Sequence, residues 1–157
     1  MMDLDTWKEM GEQLIRLEKR MKSKLRWQAK KQAKRERLAK ANQLISLISS
    51  TGRNFLSHTS GEPTKLEIYK SGHIRLQDPY TRKWIYPYKY ITNQRWSEGG
   101  TMWSLVCMLT EWIKTGKPRV TNVIWGYQYW EYPVEDMERI NEMAREIGYL
   151  RKMGETE

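Results

Sequence analysis

From Leu4 to Ile48 the chain carries no proline and one glycine, Gly11, and is built largely from Leu, Lys, Arg, Gln, Glu and Ala. All of these are good helix formers, and nothing in the stretch breaks the backbone ladder. It reads as one long helix or two nearly collinear ones. At about 100° per residue, Trp7, Met10, Leu14, Leu17, Met21 and Leu25 fall in a stripe about 80° wide, the width of a coiled-coil seam. Such a seam calls for a second helix, and another copy of this chain, forming a homodimer, is a candidate. The seam stops after Leu25, where Gln28, Gln32 and Arg35 take the positions that would continue it. A second apolar set, Leu38, Ala41, Leu44, Ile45 and Ile48, lies about 180° around the same helix. Residues 38 to 48 are expected to dock on the chain's own domain, and residues 26 to 37 to form a solvated bridge.

Charge is concentrated on the same helix. The net charge is +9 over 157 residues. Between Arg16 and Lys40 twelve Lys or Arg stand against Glu18 and Glu36, a balance of +10 that leaves −1 for the rest. Arg16, Lys19, Arg20, Arg26, Lys30, Lys34 and Arg37 gather opposite the seam, with Trp27 among them, and Lys31, Arg35 and Lys40 flank them. A cationic face of this kind binds polyanions by releasing condensed counterions, with strong salt dependence and little sequence preference. The expected partner is nucleic acid or a nucleoprotein complex, DNA and RNA being indistinguishable at this level. A merely solvated or protein-binding helix is the competing reading.

After Ser49-Ser50-Thr51-Gly52 the pattern changes. Lys65–Tyr69 and His73–Gln77 alternate as strands around Ser71-Gly72, a hairpin, and Lys83–Tyr90 supplies a third strand after the Asp78-Pro79 turn. Thr101 is read as the N-cap of a helix carrying Met102, Leu105, Val106, Leu109, Trp112 and Ile113, stopped by Gly116 and Pro118. Tight packing of the loop against this helix is the expected reason for Gly99-Gly100. Val120–Trp125 reads as a further strand, followed by Tyr127, Tyr129, Trp130 and Tyr132. Pro133 suits the first position of a last helix, with Glu135 and Asp136 at its positive end. The fold class is α+β, a long basic N-terminal helix and then a small antiparallel sheet of three to four strands packed with two helices. The division expected is a helical arm over 1–50 and a small domain over 51–157.

Trp84, Tyr86, Tyr88 and Tyr90 recur at period two and share one face of an extended chain. They would serve either as a stacking platform for unpaired bases or as core. Core is the preferred reading, because eight Trp and nine Tyr with one Phe must fill whatever interior exists.

Features of an enzyme are missing. His58 and His73 make no metal-binding spacing, one cysteine offers no zinc framework, and no phosphate-binding glycine loop or nucleophile elbow occurs. Glu62, Glu67, Lys70 and Asp78 resemble an acid and lysine cluster in composition only, since Glu67 and Lys70, three apart in a strand, face opposite sides. No catalysis, no cofactor and no metal are expected, and Cys107 reads as an inert buried thiol. His73, Arg75, Arg82, Lys83 and Arg95 are candidate secondary phosphate contacts. A lone cysteine fits a reducing cytoplasmic setting, the acidic N-terminus is no signal peptide, and the apolar run Met102–Leu109 is too short to span a bilayer. No membrane association is expected.

Gly52-Arg53-Asn54-Phe55, Gln77-Asp78-Pro79-Tyr80-Thr81, Trp125-Gly126-Tyr127, Asp136-Met137 and above all Arg95-Trp96-Ser97-Glu98-Gly99-Gly100-Thr101, followed by Leu105-Val106, Ile113 and Thr115-Gly116-Lys117, resemble a group of small tailed-phage and prophage proteins. The likeness spans about residues 52 to 140 and leaves out the basic helix. It carries no functional residue, because the group has no established activity. It implies a phage-encoded protein acting in the bacterial host cytoplasm, a setting that includes inhibitors of host defence such as anti-CRISPR proteins directed at a CRISPR-Cas effector.

Overall fold

The structure is a computed structural model and describes residues 1–88, 96–119, 131–152 and 154. Helix α1 spans Leu4–Ser50 without a break, 47 residues. Asp3 starts it by accepting the Thr6 amide on Oδ1 at 2.7 Å, which satisfies one of the donors a helix N-terminus leaves over. Strands β1 (Leu66–Ile68), β2 (Ile74–Gln77) and β3 (Trp84–Ile85) follow, then helices α2 (Gly99–Thr115) and α3 (Val134–Glu146). The strands form an antiparallel sheet in the order β1-β2-β3, with Glu67 opposite Arg75 and Gln77 opposite Trp84. The arrangement is α+β, as the residue pattern implied.

The chain divides into two compact units, Met1–Arg35 and Glu36–Glu157. The division expected at residue 50 follows secondary structure, whereas packing divides the chain inside α1. In the second unit Ala41, Leu44, Ile45 and Ile48 are fully buried and Leu38 packs against the same core. They meet Leu66, Ile74 and Leu76 from the inner face of the sheet, a row of α2 residues from Met102 to Ile113, and Met137, Ile140 and Ala144 of α3. Asn42 ties α1 to the edge of the sheet, donating to the Leu66 carbonyl at 2.9 Å and accepting the Leu66 amide at 2.8 Å. Its side-chain amide thus stands where a neighbouring strand would be.

Several local expectations need correction. Thr101 lies inside α2; the capping position is Glu98, whose side chain turns elsewhere. Pro133 precedes the first turn of α3 rather than occupying it. A side chain at Gly99 or Gly100 would meet no atom within 4 Å, so close packing does not explain the pair; Gly99 is required by its φ of +77°. Gly116 has both constraints, a φ of +72° and the Arg37 guanidinium 3.2 Å from where a Cβ would stand. The strand expected over Val120–Trp125, with Tyr127, Tyr129 and Trp130, lies outside the described residues.

The aromatic row is the largest correction. Its period of two holds, but Ile85 and Pro87 are the buried partners, while Trp84 and Tyr88 are exposed and Tyr86 is half-buried. The core already holds the large rings of Trp103, Trp112, Tyr132 and Tyr149 beside its aliphatic residues, and Ile85 rather than its aromatic neighbours completes it. Tyr90 lies outside the described residues.

Candidate nucleic-acid interface

Within the first unit, α1 holds its cations on a solvated surface. Lys19, Arg20, Arg26, Lys30 and Arg35 are exposed. Arg16 is 3.9 Å from Glu12 one turn away, and Lys22 is 3.0 Å from Glu18. Both pairs are surface pairs that water screens, so neither removes its cation from use. The Lys31 ammonium stands 4.8 Å from the Trp27 ring centroid, an exposed aromatic among the charges. The seam residues Trp7, Met10, Leu14, Leu17, Met21 and Leu25 are between 41% and 65% exposed.

Three cations of the expected set depart from this picture. Arg37 belongs to the second unit, where Nε donates to the Ile113 carbonyl at 2.9 Å and a terminal nitrogen to Lys114 at 3.5 Å. It caps the C-terminus of α2, supplying positive charge and donors where a helix leaves carbonyls unpaired. Contrary to the expectation of a phosphate contact, its donors are taken up by the end of α2. Lys34 is half-buried. Arg37 stands one turn before Ala41 on the same side of the helical wheel, and this closeness to the docking set is the signal that marks it. Lys40 is exposed, in the second unit.

The outer face of the sheet collects the secondary candidates. Arg75 is clasped between the rings of Tyr69, 3.8 Å away, and Trp84, 4.0 Å away, and its Nε donates to Glu67 at 2.6 Å. From β2 this guanidinium orders one side chain of β1, one of β3 and Tyr69, which follows β1. His73 meets Tyr88 edge-on at 5.5 Å, Tyr88 stacks on Tyr86 at 5.9 Å, and the Lys114 ammonium lies 4.2 Å from the Tyr88 centroid. Arg82, at a φ of +62°, donates to Ser60 at 3.3 Å, and Lys83 is exposed. Arg95 lies outside the described residues.

The motifs singled out in the sequence meet in a polar junction around the buried Asp78. Asp78 accepts bonds from the amides of Tyr80, Thr81 and Ser97 and from the Ser97 and Thr81 hydroxyls, all between 2.8 and 3.1 Å. Burial favours its neutral acid, but these bonds together outweigh burial and hold Asp78 below the usual carboxylate range. Next to Ser97, Glu98 accepts the Leu56 amide on both oxygens at 2.9 Å. Leu56 is buried at a φ of +61°, a conformation that costs a branched residue about 1 kcal/mol or more and that this bond helps to hold. Tyr132 donates to the Ile48 carbonyl at 3.1 Å, accepts the Phe55 amide at 3.2 Å and stacks on the Phe55 ring. His58 bonds through Nδ1 to the Pro79 carbonyl at 2.9 Å. Sequence reasoning did not find Ser97, Glu98 and Tyr132 as a set, because their partners are backbone groups brought together only by the fold.

These acids are engaged in holding turns. Among the described residues no group of three or more His, Cys, Asp or Glu is placed to hold a metal ion. Cys107 is buried, and burial pushes its thiol up to about 11, far from a nucleophile's range. No helix among the described residues is long and apolar enough to cross a membrane.

A family model described as YoqU matches residues 31–156, a span that covers nearly all of the second unit and omits the seam and most of the basic stretch. Over 120 residues the chain is 32% identical to the SPbeta prophage-derived uncharacterized protein YoqU of Bacillus subtilis (strain 168), covering 73% of this chain and 83% of that protein. No solved structure matches.

Proposed function

The chain belongs to the YoqU family, and from that premise we propose that it is a non-enzymatic phage accessory protein that binds nucleic acid or a nucleoprotein through the basic stretch of α1. A bacterial defence nuclease complex, such as a CRISPR-Cas effector in the host cytoplasm, is the target class that best fits a basic phage protein. The prophage origin of the relative supports the setting. The observation that carries the binding reading is the balance of +10 between Arg16 and Lys40, with most of those cations exposed on one continuous helix. Such a helix can follow a phosphate backbone without reading bases. Of the basic residues, those before Lys31 fall outside the family match, while Lys31, Lys34, Arg35, Arg37 and Lys40 fall within it.

The test is charge reversal at Arg26, Lys30, Lys31 and Arg35. Binding to labelled RNA, to duplex DNA and to a nuclease–guide complex should each weaken by at least about 100-fold at moderate salt if four phosphate contacts are lost. Unchanged affinity for all three would end the proposal.

A second reading is a protein-only inhibitor or assembly factor that uses the seam and the aromatic sheet face. The exposure of Tyr69, Trp84 and Tyr88 favours it. It predicts capture of a protein partner that survives nuclease treatment and high salt and is lost with Trp84→Ala.

A further inference from the structure

The seam of α1 has an internal symmetry that selects its partner. Met10, Leu14, Leu17 and Met21 are placed evenly about the midpoint between Ile15 and Arg16. When a second copy is laid antiparallel about that midpoint, Met10 faces Met21 of the other copy, Leu14 faces Leu17, and Trp7 stands beside Lys24 and Leu25. An antiparallel coiled coil needs this alternation of its two core positions, and no shift along the helix is required to reach it. Charge gives a second, independent indication. Residues 3–15 carry Asp3, Asp5, Glu9 and Glu12 against Lys8, a balance of −3. Residues 16–26 carry Arg16, Lys19, Arg20, Lys22, Lys24 and Arg26 against Glu18, a balance of +5. These charges lie on the faces away from the contact and act through the net charge of each segment: parallel pairing aligns like with like, whereas antiparallel pairing lays the −3 segment of one copy along the +5 segment of the other.

We propose that residues 4–28 of α1 form an antiparallel homodimer with the same segment of a second copy, through the stripe from Trp7 to Leu25. Lys30, Lys31 and Arg35 lie beyond the level at which the partner's α1 begins, outside the paired segment. At about 1.5 Å per residue the two Lys30 positions stand about 44 Å apart along the paired helices. Where the polyanion-binding reading also holds, the dimer offers two cationic sites at once, and avidity on a long nucleic acid follows.

Light scattering on the full chain should give twice the 18.9 kDa monomer mass at tens of micromolar, falling toward the monomer on dilution. Leu14→Asp and Leu17→Asp should each give the monomer mass with unchanged helical signal, because both side chains are already more than half exposed in the single chain. Orientation is read from a spin label on Ala29→Cys, the buried Cys107 being poorly reactive at neutral pH. The antiparallel pair places the two labels about 40 Å apart, and a parallel pair places them within about 20 Å. A monomer mass up to about 100 micromolar, or the short label distance, overturns the proposal. Neither result touches salt-dependent binding by the exposed cations, so the two readings stand or fall separately.

Discussion

Glu98 ties protonation to folding. Burial raises its pKa most, the bond from the Leu56 amide lowers it, and the nearby Asp78 charge raises it further, with the outcome pushed up to about 7 from an ordinary 4.5. The folded state therefore holds a proton that the unfolded chain releases, so stability from Glu98 is complete below pH 4.5 and is lost as pH rises to about 7. The loss expected is about 2 kcal/mol, less than the full linkage value because the carboxyl is only partly buried. Glu98→Gln should keep the Leu56 bond and flatten the dependence of the urea midpoint on pH across this window. A slope unchanged by the substitution would move the titration to another group. Asp78 acts in the opposite sense. Its lowered pKa makes its contribution present above the ordinary value of 3.8 and lost in more acidic solution, so the two groups are read in separate windows. Gly52 is a harder constraint, with a φ of +51° and the Tyr132 ring 2.5 Å from where a Cβ would stand. Gly52→Ala should destabilise the protein by more than about 2 kcal/mol, seen as a lower denaturant midpoint.

At the scale of elements, α1 changes task along its length, and Arg35 and Arg37 mark the change. Arg37→Ala removes donors from the C-terminal carbonyls of α2 and should cost about 1–3 kcal/mol of stability. Arg35→Ala, on the exposed side, should stay within about 0.5 kcal/mol in the same unfolding measurement while weakening polyanion binding. Much of this was legible beforehand. The absence of breakers announced the helix, the apolar set from Leu38 to Ile48 announced the docked end, and Ser71-Gly72 placed the hairpin. Arg37 reads as a displayed cation because the side of the wheel opposite the seam carries both the charges and the docking set, and only the folded partner, the C-terminus of α2, separates them. The aromatic row was misread for a physical reason as well. Alternation in a strand shows that two faces differ but not which one is buried, and the core that Ile85 joins already takes its large rings from Trp103, Trp112, Tyr132 and Tyr149. The polar junction was beyond sequence reasoning, since Asp78, Ser97, Glu98 and Leu56 come from three separate segments and bond mainly to backbone.

For the molecule as a whole, the folded unit and the charged helix carry separable properties. Every residue of the described core lies at or after Ala41, and the family match begins at residue 31. Removing residues 1–30 should therefore leave the thermal midpoint of the remainder within a few degrees of the full chain and abolish most affinity for nucleic acid. A collapse of the midpoint would show that the first unit supports the second. The most direct measurement is the affinity of the full chain for a duplex as a function of salt. With five to seven phosphate contacts from the exposed cations, log affinity should fall linearly with log salt at a slope of about −5 to −6, and charge reversal at Arg26, Lys30, Lys31 and Arg35 should make that slope shallower by about 3 to 4. A slope near zero, or one the reversal leaves unchanged, would contradict a polyanion-binding helix.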